Sequence, residues 1–203
     1  METVSRLLFR CALAAAIVGA ACSTPEQQFL GKSLSDWAIL LDGEDRLDRL
    51  SAIRAIGESA RRNPADAAST AALRRALSHE DSAVRHWAVR SVGSMGDSAS
   101  AFEQDLRARL ADDAIDVRIW AAQALCRLGK QEEALPVLAK GLSDTNGGTR
   151  LHAAHALEAL GEDARPVVEA LRGVLGDDFG YPDRVAGRFL KNLGALPEST
   201  TPD

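Results

Sequence analysis

The sequence contains 203 residues, a length that suits one domain or at most two small ones. Apolar residues make up 46% of it and aromatic residues only 4%. Ala and Leu supply most of the apolar share and favour helix, so the composition argues against an all-β sandwich. The formal net charge of -5 argues against a nucleic-acid-binding protein that depends on a strong positive field.

Residues 1–21 have the organisation of a signal peptide. Arg6 and Arg10 precede an uncharged run of eleven residues, which is too short to span a bilayer as a helix. The run ends in VGAAC, whose last residue is Cys22, and this stretch resembles a bacterial lipoprotein signal. The resemblance implies cleavage before Cys22, acylation of that residue, and anchoring in the cell envelope on the periplasmic or outer side of a membrane. Secretion as a soluble protein is the alternative.

The rest of the chain divides into three parts. We expect residues 22–30 to form the lipidated end and a tether, residues 31–194 a repeat solenoid, and residues 195–203 a disordered tail. Cys126 is then the only cysteine in the folded body, so no disulfide can hold the fold together.

The body of the chain contains four copies of one template. Each copy has an Arg, an Ala three residues later, and then a pair of apolar residues. The marker arginines, at intervals of 36, 33 and 32 residues, are Arg49, Arg85, Arg118 and Arg150. Leucine pairs recur downstream at similar intervals: Leu73 and Leu77, Leu106 and Leu110, Leu138 and Leu142, and Leu171 and Leu175. Each copy therefore holds two helices, which we call helix A and helix B.

Each helix has one narrow apolar stripe. In helix A of the second copy the stripe consists of Val84, Ala88, Val92 and Met95, and the leucine pairs supply the stripe of helix B. Neither helix can bury its stripe alone, so successive copies must stack. We expect an all-α, right-handed α-α superhelix of four to five helix pairs, closed by a helix near Ser35–Leu41 and another from about Asp183 to Leu193.

Glycines predict where the A helices end. Gly96, Gly129 and Gly161 each follow an apolar run, and a left-handed C-terminal residue is easiest for Gly. The first copy has three extra residues, which we expect to form a longer turn near Ser59–Asn63. Asn63 and Pro64 would then cap and begin the following helix B.

The template resembles HEAT repeats of the short bacterial kind, which are also called phycobilin-lyase-like repeats. The resemblance covers about residues 32–194 and implies a HEAT/armadillo-like solenoid. It also implies a ladder of salt bridges between the marker arginines and the acidic turns before them, so that Arg85, Arg118 and Arg150 would pair with residues such as Asp81, Asp113 and Asp144.

Few residues are candidates for chemistry. His152 and His155, with His86 two copies earlier, lack a carboxylate or Cys at ligand spacing, so we expect no metal site. Cys126 stands where the template has Gly, and we interpret it as a tolerated small residue rather than a nucleophile. No catalytic set and no cofactor motif is present. Trp87 and Trp120 share one template position, where they either pack between A helices or form an aromatic ridge for a partner.

The basic residues of the B helices form the best candidate binding surface. Arg residues follow the first leucine of three pairs and further basic residues lie beside them, giving a band of Arg74, Arg75, Arg107, Arg109, Lys140 and Arg172. In HEAT solenoids the B helices line the concave face, and concave faces bind extended partners. The alternative is a solvated helix surface. We therefore expect a non-enzymatic, membrane-anchored scaffold that binds a protein or peptide on its concave helix B face.

Two other classes of function are weaker candidates. The resemblance to phycobilin lyases implies an enzyme subunit or a tetrapyrrole chaperone, but the predicted export and the lack of distinctive pocket residues argue against it. Nucleic-acid binding needs a far more basic groove.

Overall fold

The computed structural model describes residues 29–168, 187, 188 and 190–194, and within them it is almost entirely helical. The α-helices are α1 (Leu34–Leu40), α2 (Arg46–Arg62), α3 (Ala67–Leu77), α4 (Ser82–Gly93), α5 (Glu103–Arg109), α6 (Ile115–Arg127), α7 (Gln131–Leu142) and α8 (Gly147–Leu160). Two 3₁₀ helices, Gly96–Phe102 and Gly161–Val167, lead from α4 into α5 and onward from α8.

The helices stack in two layers. The A helices α2, α4, α6 and α8 pack against one another in sequence, and α3, α5 and α7 form the B layer against them. Every residue of the predicted stripe on α4 is buried, as are Leu73, Leu106 and Leu138 of the B helices. The expected all-α solenoid is confirmed. One continuous core runs between the layers, because each stripe is covered by its own helix pair and by the next one.

Local chemistry fixes the helix ends. Asp45, Asp81 and Asn146 accept backbone N–H groups at the start of α2, α4 and α8. Gly96 and Gly129 adopt positive φ angles of 59° and 77°, as predicted for residues that end an A helix.

The expected turn near Ser59–Asn63 is wrong. Helix α2 continues to Arg62, and Asn63 caps its C-terminus. The first copy has Ala60 at the position of Gly96, so nothing ends the helix there, and Glu58 pairs with Arg61 and Arg62 along the added turn. Helix α3 accordingly begins later than expected, at Ala67 after the cap Asp66.

The two ends of the described stack are covered. Trp37 of α1 is buried, and its indole N–H donates to the carbonyl of Phe29 at 3.0 Å. Leu190 and Leu193 are buried at the other end, whereas Phe189 and the start of the predicted closing helix lie outside the described residues. None of the helices in the described part is long and apolar enough to cross a membrane.

Candidate binding surfaces on the two helix layers

The marker arginines make the same backbone contacts in all four copies. In each, Nη1 donates to two carbonyls of the turn that precedes the helix, five and six residues back along the chain. For Arg85 these acceptors are His79 and Glu80, both at 2.8 Å. The marker Arg thus ties each A helix to its own entry turn.

The carboxylate partners of this ladder come from the next copy. Arg85 donates to both oxygens of Asp112, at 2.9 and 2.8 Å, and also pairs with Asp113. Arg49 also pairs with a carboxylate of the next copy, Asp81, but through Nη2 alone, at 3.0 Å. The expected pairing with carboxylates of the preceding turn is therefore wrong, because backbone carbonyls occupy that side of the guanidinium.

The other two expected salt bridges, Arg118 with Asp113 and Arg150 with Asp144, are not formed within the described residues. Arg118 and Arg150 make their backbone contacts alone, to the carbonyls of Asp112 and Asp113 and of Asp144 and Thr145. The Asp144 side chain accepts the backbone N–H of Asn146 instead.

The predicted basic band on the B helices is largely neutralised within the chain. Four of its arginines form ion pairs: Arg74 with Asp105, Arg75 with Asp42, Arg107 with Glu103 and Glu133, and Arg109 with Asp112. Two of these five pairs, Arg74 with Asp105 and Arg107 with Glu133, join one B helix to the next. Lys140 is exposed, and Arg172 lies outside the described residues. The four described arginines of the band therefore present little uncompensated charge.

A different cationic array lies on the A helices. The guanidinium of Arg54 lies 5.5 Å from the ring centre of Trp87. Arg90 lies 5.0 Å from that ring and 4.8 Å from the ring of Trp120. We call these four residues, from α2, α4 and α6, the A-helix ridge. Both arginines are exposed and both tryptophans are half-buried.

The sequence contains a signal for this ridge. Arg54 and Arg90 are 36 residues apart, the interval that separates the first two marker arginines, so they occupy equivalent positions on successive helices. Trp87 precedes Arg90 by three residues, which places the two on one helix face. The two tryptophans were predicted as candidate partner-binding residues, whereas the arginines beside them were not.

An open groove of about 530 Å³ borders the ridge. Its walls combine apolar and aromatic side chains, hydroxyl groups and four charged side chains: Phe29, Leu30 and Trp87; Ser51, Ser91 and Ser94; and Arg54, Glu58, Arg61 and Arg62. Ser51 occupies the template position of Trp87 and Trp120, so no ring fills the space in the first copy. The groove therefore has a mixed lining, in which three arginines outnumber the single carboxylate of Glu58.

Two of the histidines, His86 and His152, lie near the ridge. His86 contacts the rings of Trp87 and Trp120 edge-on, with centroids 5.8 and 6.2 Å away. Burial, followed by the nearby Arg90 charge, lowers the pKa of His86. His152 lies 2.7 Å from the Asp116 carboxylate. Within the part of the chain that the structure describes, no three His, Cys, Asp or Glu side chains are arranged to hold a metal ion.

Cys126 is buried in α6, and burial raises the pKa of its thiol to about 11. A thiol in this state is a poor nucleophile, which agrees with its interpretation as a small core residue. Cys22, the expected site of acylation, lies outside the described residues.

Comparison with known proteins identifies the repeat. The family model described as HEAT repeats matches residues 35–114 and 103–190. No protein of curated function matches the sequence significantly.

Three solved structures are similar in fold. An engineered protein has a TM-score of 0.56 at 22% identity, over 79% of this chain and 78% of the other. The complex of CpcE and CpcF of phycocyanin lyase from Nostoc sp. PCC7120 has a TM-score of 0.59 at 22% identity, over 86% and 70%. A designed armadillo repeat protein in complex with peptide (KR)4 has a TM-score of 0.57 at 18% identity, over 78% and 81%.

Proposed function

Because the chain belongs to the HEAT-repeat family, we propose that it is a non-enzymatic scaffold that binds a protein or peptide partner in the cell envelope. A lipid on Cys22 holds it at the membrane. In repeat solenoids of this kind the apolar residues are buried between stacked repeats, and the extended outer surfaces bind partners.

The A-helix ridge is the observation that carries the proposal. Three successive A helices place Arg54, Trp87, Arg90 and Trp120 side by side, with an open groove at one end. Tryptophan and arginine are enriched where proteins bind other proteins. The sequence favoured the concave helix B face, but the ion pairs of that layer favour the helix A face as the binding surface.

Site-specific photocrosslinking tests the binding function. A photoreactive residue at Ser94, which lines the groove, should form adducts with envelope proteins in living cells. The same residue at Ser78, an exposed position at the end of α3, is the matched control and should form few. Equal adducts at both positions, or none at either, would contradict the proposal.

Fractionation tests the lipid anchor. Cys22→Ala should move the protein from the membrane fraction to the soluble fraction without changing its melting temperature, because residues 23–28 act only as a tether. Cys11→Ala is the control, since cleavage removes that residue and the protein should stay in the membrane. A soluble wild-type protein would leave plain secretion as the explanation.

A tetrapyrrole chaperone is the second candidate. The groove beside Trp87 and Arg54 combines an aromatic ring with a cation, a chemistry that suits the rings and carboxylates of a bilin or haem. The fold is similar to that of a phycocyanin lyase complex. Titration of the purified protein with haem or bilin, followed by absorbance, separates the two candidates: a stoichiometric spectral shift favours the chaperone.

A further inference from the structure

The uncompensated positive charge of the described chain is concentrated on the A layer. Arg54, Arg90 and Arg127 are exposed and have no carboxylate oxygen within 4.0 Å among the described residues. The arginines of the B layer do have such partners. Two acidic side chains near the ridge have partners of their own: Glu58, which lines the groove, pairs with Arg61 and Arg62, and Asp116 contacts His152.

The ridge leaves its guanidinium groups able to bind an anion. A guanidinium that lies over an indole ring keeps its N–H groups in its own plane, where they can donate two parallel hydrogen bonds to a carboxylate. The ring fixes the position of the cation, so less entropy is lost when the anion binds. Arg54 and Arg90 both lie beside Trp87, so the distance between them is at most the sum of 5.5 and 5.0 Å.

The surroundings of the ridge narrow the class of anion. The groove offers apolar contacts from Phe29 and Leu30 and hydroxyl groups from Ser51 and Ser91, which suit the mixed side chains of a polypeptide. The net charge of -5 repels every anion to some extent, and the repulsion grows with the anion's own charge, so a short acidic segment is less disfavoured than a long polyanion such as a nucleic acid. A basic peptide is disfavoured too, because the chain's own arginines lie beside the tryptophan rings.

We propose that the A-helix ridge binds an extended acidic segment of the partner protein, with successive carboxylates on Arg54 and Arg90 and the adjoining side chains in the groove. This inference rests on the proposed function and names its partner. In a polyproline II segment, residues three apart lie on one side at a spacing of about 9 Å. That spacing is compatible with the limit set by the two distances to Trp87, so acidic residues at every third position are the best match.

Fluorescence anisotropy with defined peptides tests the inference on the full chain in detergent. The probe is a labelled proline-rich peptide of about twelve residues with Glu at every third position. The expected result is saturable binding that weakens about tenfold or more between low and physiological salt. A peptide with Lys in place of Glu should not bind. Binding of the Lys peptide as tightly as the Glu peptide would overturn the inference, as would tighter binding of polyphosphate.

Matched variants locate the site. The double variant Arg54→Gln/Arg90→Gln should weaken binding of the Glu peptide about tenfold or more, and Arg90→Lys should weaken it less because the charge remains. The control Arg74→Gln/Arg75→Gln changes the same number of charges on the B layer and should leave binding within about twofold. Equal loss in both double variants would overturn the inference, because binding would then depend on overall charge and not on the ridge. Adducts at Ser94 without any binding of the Glu peptide would overturn the inference and leave the proposed function standing.

Discussion

Arg85 and Asp112 form a buried bidentate pair that joins two successive repeats. The Nε and Nη2 groups donate to the two carboxylate oxygens at 2.9 and 2.8 Å, and the side chains are only 7% and 2% exposed. Because Nη1 is bonded to the turn before α4, one guanidinium connects that turn to the turn before α6. The pair therefore fixes how the second and third copies sit against each other.

Removing the arginine should destabilise the protein strongly. Arg85→Met removes the bidentate partner of the buried Asp112 carboxylate and leaves it only the single contact with Arg109 at 3.2 Å. We expect a loss of about 3 kcal/mol in the free energy of unfolding. Arg75→Met is the matched control, because its pair with Asp42 is exposed and should contribute little. Urea unfolding followed by circular dichroism measures both. Equal midpoints for the two variants would contradict the role of the buried pair.

The same pair predicts acid sensitivity. Burial works to raise the pKa of Asp112, but hydrogen bonds from Arg85 and from the backbone N–H of Ala114 outweigh it, so the pKa lies below the usual value. A carboxyl whose folded-state pKa is lowered adds stability that is present above its unfolded pKa of about 3.9 and is lost as the pH falls through the folded value. The melting temperature should therefore fall steeply below about pH 4. Asp112→Asn should melt lower at neutral pH and show a shallower acid slope, and identical slopes would contradict this explanation.

The sequence predicted the fold well because packing in a repeat protein is periodic. The buried stripe of Val84, Ala88 and Val92 follows directly from helical spacing, and Gly129 marks a helix end by its conformational freedom. The prediction failed at Ser59–Asn63, where the three extra residues were expected to form a turn but instead lengthen the helix. The first copy has no glycine to end its helix A, and this difference was already visible in the sequence.

The candidate site was harder to predict, because a sequence period does not say which copy a side chain faces. Acidic residues lie both four positions before Arg85 and 27 positions after it, and only the packing of helices α4 and α6 selects the second. Likewise, the pairing of Arg107 with Glu133 joins residues on different B helices, so a residue that looked like part of a basic surface in the sequence has its charge compensated in the fold.

Cys126 should be unreactive while the chain is folded. Its thiol is buried in α6 and its pKa is raised to about 11, so little thiolate exists near neutral pH and reagents have no access to it. Iodoacetamide at pH 8 should leave the Cys126 peptide unmodified in the native protein and alkylate it in urea, as measured by peptide mass spectrometry. Rapid alkylation of the native protein would show that the α6 core opens readily.

Gly57 and Gly93 occupy equivalent positions on α2 and α4, yet the structure predicts opposite responses to alanine. A Cβ atom at Gly57 would lie 2.7 Å from the Cβ of Ser91 and would also overlap its hydroxyl, so the two A helices must separate. We expect Gly57→Ala to destabilise the protein by about 1–3 kcal/mol, the usual cost of overpacking a core. A Cβ at Gly93 would meet only the Cβ of Ala124 at 3.5 Å, an ordinary contact, and the higher helix propensity of Ala should leave stability unchanged or raise it by up to about 1 kcal/mol. Thermal unfolding of the two variants beside the wild type measures the difference, and a Gly57→Ala variant as stable as Gly93→Ala would show that α2 and α4 pack less closely than the structure indicates.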